Sequence, residues 1–334
     1  MSRDPLSDLL RAVRLRGAVF YYVSLRDDWA MSASAAAEIA AAVMPGCDHV
    51  MEYHMLAKGE GWATVSGLPP VPLTSGDVVM FPQGDSHVVS RASAPAPAPH
   101  YRAPDWVFST RSEPKPMPIT CHSGIVEVGS VPVSDAESLA VCGFLGCDLR
   151  PFNPLIAALP RVLHLPASHA GGWVANVIDQ AVTESNDPRP GGGAVLERLA
   201  EMLFVDAARR YLENLPPDAL GWLAGLRDRF VGRALALLHE RPAYAWSVEQ
   251  LATEVGLSRS ALHDRFVEYL DQAPMQYLAN WRIQLAARIL RDSNRNVASI
   301  ATEVGYESEA AFTRAFKRMV GTPPAAWRRA QNVA

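Results

Sequence analysis

The chain is poor in cysteine, in long apolar runs and in charge of one sign. Four cysteines in 334 residues, Cys47, Cys121, Cys142 and Cys147, are too few and too unevenly spaced for a disulfide scaffold. No window holds the roughly 18 uninterrupted apolar residues of a membrane-spanning helix, so no membrane partner is expected. The opening MSRDPLSDLLRAV has no continuous apolar core followed by a small-residue cleavage site. It does not read as a secretion signal, and a cytoplasmic location is expected. The net charge of −4 is small but uneven. From Arg227 onward, 15 Lys and Arg face 11 Asp and Glu, a balance of +4 that leaves −8 for the rest. A basic excess at one end suits a polyanion partner, and it also suits an ordinary solvated face.

What is present is length enough for two domains, each with its own core. Up to about residue 160, short apolar runs alternate with turn residues: HVMEYHMLA, WATVSG, PVPLTSG, DVVMFPQG, IVEVGS, AVCGF. They predict strands of an antiparallel β domain, with one Ala-rich helix over 33–44. RASAPAPAPHYRAP predicts a Pro-rich surface loop. Between about 150 and 222, NPLIAALPRVLHL, GGWVANVIDQAV and AVLERLAEMLFVDAARRYLENL carry apolar residues at helical spacing. The last has Leu196, Leu199, Met202, Leu203 and Ala207 on one stripe, which can pack on its own domain or on a second copy.

Beyond residue 224 the chain reads as helical and Arg-rich, and it repeats itself. LATEVGLS (251–258) returns forty-nine positions later as IATEVGYE (300–307). Ser247 with Gln250 forms a capping-box pattern, Gly256 suits a left-handed helix end, and Ser258 can cap the next helix. Asn296, Gly305 and Ser308 do the same in the second copy, whose turn is one residue longer. Each copy is therefore a helix-turn-helix. Between them MQYLANWRIQLAARILRD predicts about 18 residues of helix, roughly 27 Å. A stacking repeat would have short joints and more copies. A rigid spacer of this length instead suits two adjacent major-groove faces of B-DNA, about 34 Å apart.

Residues 227–329, through APMQYLANWRIQLAARIL and VASIATEVGYESEAAFTRAFKRMVGTPPAAWRR, resemble the DNA-binding domain of the AraC/XylS family of transcription regulators. The resemblance implies that the second helix of each unit lies in a major groove of double-stranded promoter DNA. Leu262 and Phe266 are spaced for the core, which turns Arg259, Ser260, His263 and Asp264 outward. Phe312 and Phe316 likewise turn out Glu309, Ala310, Thr313 and Arg314, with Lys317 behind. Arg can bond guanine bidentately, whereas Ser, Thr and Glu read base edges or sit on phosphates. Asp264 departs from this logic unless it accepts from cytosine or orients Arg265.

The stretch Gly76 to His87 follows the pattern G-x5-P-x-G-x2-H and resembles the second motif of cupin β-barrels. In metal-binding cupins His87 would be a ligand, with a Glu and a His-x-His upstream. Glu52 stands at the Glu position, seven residues before Gly59. The His-x-His is absent, because Gly46 and Asp48 occupy its place. Strand parity offers another set, since Glu52 and His54 share a face. His54, His87 and Cys142 could then hold Zn²⁺, or simply be hydrogen-bonded and packed. Cys142 and Cys147 are redox candidates. On an unbroken strand they would stand roughly 17 Å apart, too far for a disulfide unless Gly143 or Gly146 turns the chain.

The expected fold is therefore α+β and two-domain: an N-terminal antiparallel cupin β-barrel with following helices, then an all-α double helix-turn-helix domain. The expected division is 1–165 for the sensor, 166–223 for a helical linker or dimerisation region, and 224–334 for the DNA-binding domain. The function implied is a sequence-specific transcription regulator, not an enzyme, responding to a small-molecule effector and acting as a homodimer. A thiol- or metal-based redox sensor and a cupin metalloenzyme with a DNA-binding tail are the alternatives.

Overall fold

Strand β3 (His49–Lys58) is buried over nearly its whole length, and the first compact unit is built around it. The computed structural model describes residues 4–93, 103–112, 115–123, 125–129, 135–170, 172–187 and 189–331. Most of the Pro-rich stretch after Arg91 lies outside the described residues. Numbered along the chain, the other strands are β1 (Leu15–Arg26), β2 (Ala30–Ala33), β4 (Glu60–Val65), β5 (Val71–Thr74) and β6 (Val78–Phe81). They continue with β7 (His87–Ser90), β8 (Met117–His122), β9 (Ile125–Val128), β10 (Ser138–Cys147) and β11 (Leu163–Leu165). A seven-stranded sheet runs β11-β6-β3-β10-β1-β8-β9 and a four-stranded sheet runs β2-β7-β4-β5. All pairings are antiparallel except β1 with β8.

Alternation sorts the two faces of β3 and β10. Val50 and Leu56, with Ala140, Cys142 and Phe144, belong to the apolar core between the sheets. Met51, Tyr53 and Met55 point the other way, and the helix Gly172–Asn186 packs on that side. The long helix Gly192–Glu213 crosses β1 at Gly17, where an added Cβ would lie 2.5 Å from the Glu197 carbonyl oxygen. Its expected single stripe divides in two. Leu196, Leu203 and Ala207 are buried within this unit, while Met202 remains 47% exposed.

One sequence expectation fails locally. NPLIAALPRVLHL is not one helix: Pro154–Ala158 is helical, and Leu163–Leu165 pairs with β6. Pro160 is the reason, since it lacks an N–H and disfavours helical backbone before it. The linear division into 1–165, 166–223 and 224–334 also differs from the compact units. One comprises Leu15–Cys147 and Leu159–Tyr211; the other comprises Met1–Arg14, Asp148–Ala158 and Leu212–Ala334. Gln284 explains the second grouping. Its buried amide donates to the Ala12 carbonyl at 2.9 Å and accepts from the Phe152 N–H at 3.0 Å. One satisfied amide thereby ties two remote segments into the C-terminal helices.

Those helices are Trp222–Arg227, Arg229–Glu240, Val248–Val255, Arg259–Leu270, Pro274–Asp292, Val297–Glu303, Glu309–Val320 and Pro324–Gln331. No helix among the described residues is long and apolar enough to cross a membrane.

Gly17→Ala should destabilise the first unit by about 1–3 kcal/mol, because backbone and Ala200 Cβ occupy the space the methyl needs. Gly193→Ala, which meets nothing within 4 Å, should leave thermal melting unchanged or slightly raised. Circular-dichroism melts of the two variants check the contrast.

Candidate functional site

The helical repeat is capped as its sequence dictates. Ser247 and Gln250 exchange side-chain and backbone hydrogen bonds at 3.0 and 3.1 Å, and Gly256 takes a left-handed φ of 79°. Ser258 accepts from the Ala261 N–H at 3.2 Å, opening the helix Arg259–Leu270. In the second copy Asn296 accepts from the Ser299 N–H at 2.7 Å and Ser308 from the Ala311 N–H at 3.2 Å. Gly305 has φ of 89° and its Cβ would lie 2.6 Å from Ala243 Cα, so neither backbone nor space admits a side chain. The helix between the copies, Pro274–Asp292, has 19 residues, about 28 Å.

Burial of Leu262, Phe266, Phe312 and Phe316 sets the faces of the two second helices. Arg259, Ser260, His263 and Asp264 are exposed, as are Glu309, Ala310, Arg314 and Lys317; Thr313 is half-buried. Arg259 reaches back to Glu249 at 3.1 Å. Arg314 and Lys317 have no ion-pair or hydrogen-bond partner among the described residues, so their charge is uncompensated. Asp264 does not orient Arg265 as considered. It lies 3.4 Å from His263 Nδ1. Arg265 instead grips Asp228, at 2.8 Å from Nη2 and 3.0 Å from Nε, and Asp228 also caps Arg229–Glu240.

The first unit carries a different chemistry inside the barrel. β3 supplies Glu52 and His54, β10 supplies Cys142, and β7 of the opposite sheet supplies His87. Register places Cys142 beside His54. His87 is presented by the turn Pro82-Gln83-Gly84, where Gly84 has φ of 71° and a Cβ would come within 3.0 Å of the Val50 carbonyl. Phe81 stacks on the His87 ring at 3.5 Å.

Hydrogen-bond logic assigns the protons. His87 Nδ1 lies 2.9 Å from the Asp85 carbonyl, which can only accept, so Nδ1 carries the proton. His87 Nε2 is then the acceptor in its 2.8 Å contact with His54 Nε2, which donates. His54 Nδ1 is left to accept from the Cys142 thiol at 2.8 Å. Burial keeps the chain neutral. It lowers His87 to about 4 against its hydrogen bond to Asp85, lowers His54 with help from His87, and raises Cys142. Burial also raises Glu52 to about 8. The carboxyl therefore stays protonated at neutral pH, and its oxygen stands 3.8 Å from His54 Nε2.

Glu52, His54 and Cys142 close the polar end of a cavity of about 60 Å³, whose walls include Tyr21, Met31, Trp106, Ile119 and Phe144. A mostly apolar cavity with few convergent polar groups is the usual form of a small-molecule site. The structure brings His54, His87 and Cys142 together, with Glu52 beside them. Glu52, His54 and His87 each offer one donor atom, all within 4.8 Å of one another. Cys142 approaches the other ring nitrogen of His54. Glu52 was legible only from its place seven residues before Gly59 and two before His54.

Neither Gly143 nor Gly146 turns the chain between Cys142 and Cys147. Both lie on one unbroken strand with continuous register to β3, so they face opposite ways. Cys121 and His122 also point to opposite faces of β8.

Residues 4–213 match the cupin family and residues 251–330 the helix-turn-helix domain family. An AraC-like transcription regulator of Streptomyces lividans is 33% identical, with 98% of each chain covered. The chain belongs to the AraC family of helix-turn-helix transcription regulators, with an N-terminal cupin domain. It is also 26% identical to the transcriptional regulator AlkR of Acinetobacter baylyi, over 97% of this chain and 99% of that one. Among solved structures, it is similar to the DNA-binding domain of AdpA in complex with a target DNA. That likeness is 31% identical, covers 32% of this chain and 95% of that one, and has a TM-score of 0.31. The relatives are transcription regulators, not enzymes. As an AraC-type regulator the chain binds DNA through its C-terminal helices, and its cupin domain is the effector domain.

In metal-free protein Glu52 and His87 should tilt stability in opposite directions with pH. Glu52 rises from 4.5 to about 8 on folding, so its contribution is complete below pH 4.5 and lost as pH climbs through about 8. His87 falls from 6.5 to about 4, so its contribution is complete above pH 6.5 and lost as pH drops through about 4. Glu52→Gln should remove the alkaline loss, gaining up to several kcal/mol over wild type near pH 8 and little at pH 4.5. Urea unfolding across this range measures it.

Proposed function

We propose that this AraC-type regulator reads a promoter site with the outward faces of Arg259–Leu270 and Glu309–Val320. Arg259, Ser260, His263 and Asp264 would meet one major-groove segment, and Glu309, Ala310, Thr313, Arg314 and Lys317 the next. The observation that carries this reading is the pair of capped helix-turn-helix units joined by one helix of about 28 Å. That helix is close enough to the helical repeat of B-DNA for both units to engage one face. Arg314, uncompensated and exposed, is the best placed to bond a guanine edge. Arg259 must first leave Glu249, and a phosphate or base is a stronger partner than an exposed carboxylate.

The effector is a small molecule held in the barrel cavity, with its polar group toward Glu52 and His54. It acts by population shift, favouring the DNA-binding geometry whose barrel it binds better. The outward stripe Val195, Leu199 and Met202 on Gly192–Glu213, bordered by Trp173, supports a homodimer through this helix. A protein that reads promoter DNA works in the cytoplasm of a bacterium. A thiol-based sensor finds less support, because the Cys142 thiol is buried and held protonated.

Arg314→Ala should weaken binding to the cognate site by roughly 1–3 kcal/mol and relax the preference at one base pair. Fluorescence-anisotropy titrations on cognate, single-substituted and random duplexes test it. Equal losses on all three would reduce Arg314 to a phosphate contact, and no loss on any would remove it from the interface.

A further inference from the structure

We propose that the loop 241–246 is a third DNA contact, in which Arg241 and Tyr244 hold phosphates between the two major-groove segments. The proposal rests on the reading that both second helices engage one duplex, and it adds a surface that neither helix contains.

The loop joins the helix Arg229–Glu240 to Ser247, the cap of Val248–Val255. Its far side packs on the other copy. An added Cβ on Gly305 would lie 2.6 Å from Ala243 Cα and 2.9 Å from the Ala243 carbonyl oxygen. Gly305 stands three residues before Ser308, which caps Glu309–Val320. The loop therefore runs from the start of the first unit to the turn of the second. A duplex that gives a major groove to each second helix carries a minor groove and its flanking phosphates across that interval.

This surface is built in advance of binding. Arg282, on the spacer helix Pro274–Asp292, donates to the Pro242 carbonyl at 2.6 Å and the Tyr244 carbonyl at 2.8 Å. Within the loop, the Tyr244 N–H donates to the Arg241 carbonyl at 3.2 Å and the Trp246 N–H to the Tyr244 carbonyl at 2.9 Å. The Trp246 indole also donates to the Arg241 carbonyl, at 3.2 Å. Trp246 is buried, whereas Tyr244 is 45% exposed and Arg241 is exposed. A surface held this way loses little conformational freedom when a partner arrives.

Charge names the partner. The Arg241 guanidinium lies 5.5 Å from the Tyr244 ring centroid and 4.7 Å from that of Trp246. Neither Arg241 nor Arg282 pairs with a carboxylate among the described residues, and Arg282 uses its donors on carbonyls. The approach to the second copy is different, because Arg295, one residue before the Asn296 cap, pairs with Glu303. One unit presents a cation where the other has neutralised it. Two uncompensated guanidinium groups beside an exposed tyrosine hydroxyl suit a phosphate backbone.

The test uses the full-length protein, a duplex that it enriches from a random pool, and a random duplex of equal length. Arg241→Ala should weaken binding to both by about three- to tenfold and reduce the slope of log affinity against log salt by about 0.9. Arg241→Lys should keep the slope. Tyr244→Phe should lose about two- to tenfold with the slope unchanged. Neutral methylphosphonates, placed singly between the two major-groove segments, locate the contact. One position should weaken the wild type severalfold and leave Arg241→Ala unaffected. An unchanged slope in Arg241→Ala, or a loss confined to the enriched duplex, overturns the proposal. Circular dichroism checks each variant. If Arg241→Ala does not fold, the methylphosphonate scan of wild type and Arg241→Lys decides, and no sensitive position between the grooves overturns the contact. A wild type that enriches no duplex removes the promoter reading itself; enrichment with a flat scan sinks the loop contact alone.

Discussion

A backbone carbonyl can only accept, and the carbonyl of Asp85 thereby sets the proton of every group beyond it in the barrel. His87 must carry its proton on Nδ1, so His54 must donate from Nε2, and Cys142 must donate to what remains. The chain has one direction and no charge. Reversing any link would leave two donors or two acceptors facing each other in a buried site, at a cost of about 1–3 kcal/mol. The turn that aims this carbonyl needs the left-handed Gly84 and the Arg161 grip on Asp85. The orientation of the sensor is thus set in a loop at its edge.

The architecture around this chain follows from strands buried on both faces. β3 and β10 give one face to the barrel and the other to helices, so neither can shift register without moving apolar residues to the wrong side. That constraint brings Glu52, His54 and Cys142 to one face, and the second sheet adds His87 across the gap. In the DNA-binding unit caps play the same part. Ser258 and Ser308 fix where each second helix begins, which decides that Arg259 and Arg314 point outward while Phe266 and Phe316 do not.

These two kinds of constraint were not equally legible. Caps are local chemistry, and Ser247, Gly256, Ser258, Asn296, Gly305 and Ser308 could be read directly from neighbouring letters. β3 and β10 were also readable, but LRGAVFYYVSLR was not recognised as β1. The helix Gly172–Asn186 packs on it and the helix Gly192–Glu213 crosses it at Gly17, on the face that would otherwise carry polar residues, which erases alternation. Helical spacing in NPLIAALPRVLHL was misleading for a related reason: LHL is a short edge strand, and Pro160 was the stronger signal. His54, His87 and Cys142 could be brought to one site by parity alone. Parity also put Glu52 on the His54 face, but it could not tell which ring nitrogen each neighbour would meet. The grouping of Pro5–Ala12 with the C-terminal helices had no local sign at all, because it depends on a glutamine more than 270 positions away.

Buried polar groups in this chain separate into two sorts by whether their bonds are complete. Gln284 uses donor and acceptor on two backbone segments. Asp77 accepts from the Thr74 and Ala167 N–H groups, with His164 alongside. Asp228 caps one helix and pairs with Arg265. Each is satisfied by residues that the fold already supplies, so each is explained by stability. Glu52 is also buried, yet its nearest polar neighbour is His54 Nε2, at 3.8 Å too far for a hydrogen bond. Burying such an acid stabilises nothing in the empty protein, since an apolar side chain of similar size would fill the position without desolvating a carboxyl. Ser24 Oγ, Trp29 Nε1 and Trp281 Nε1 are likewise buried without a partner among the described residues, but Glu52 differs from them in bearing an acid and in lining the barrel cavity.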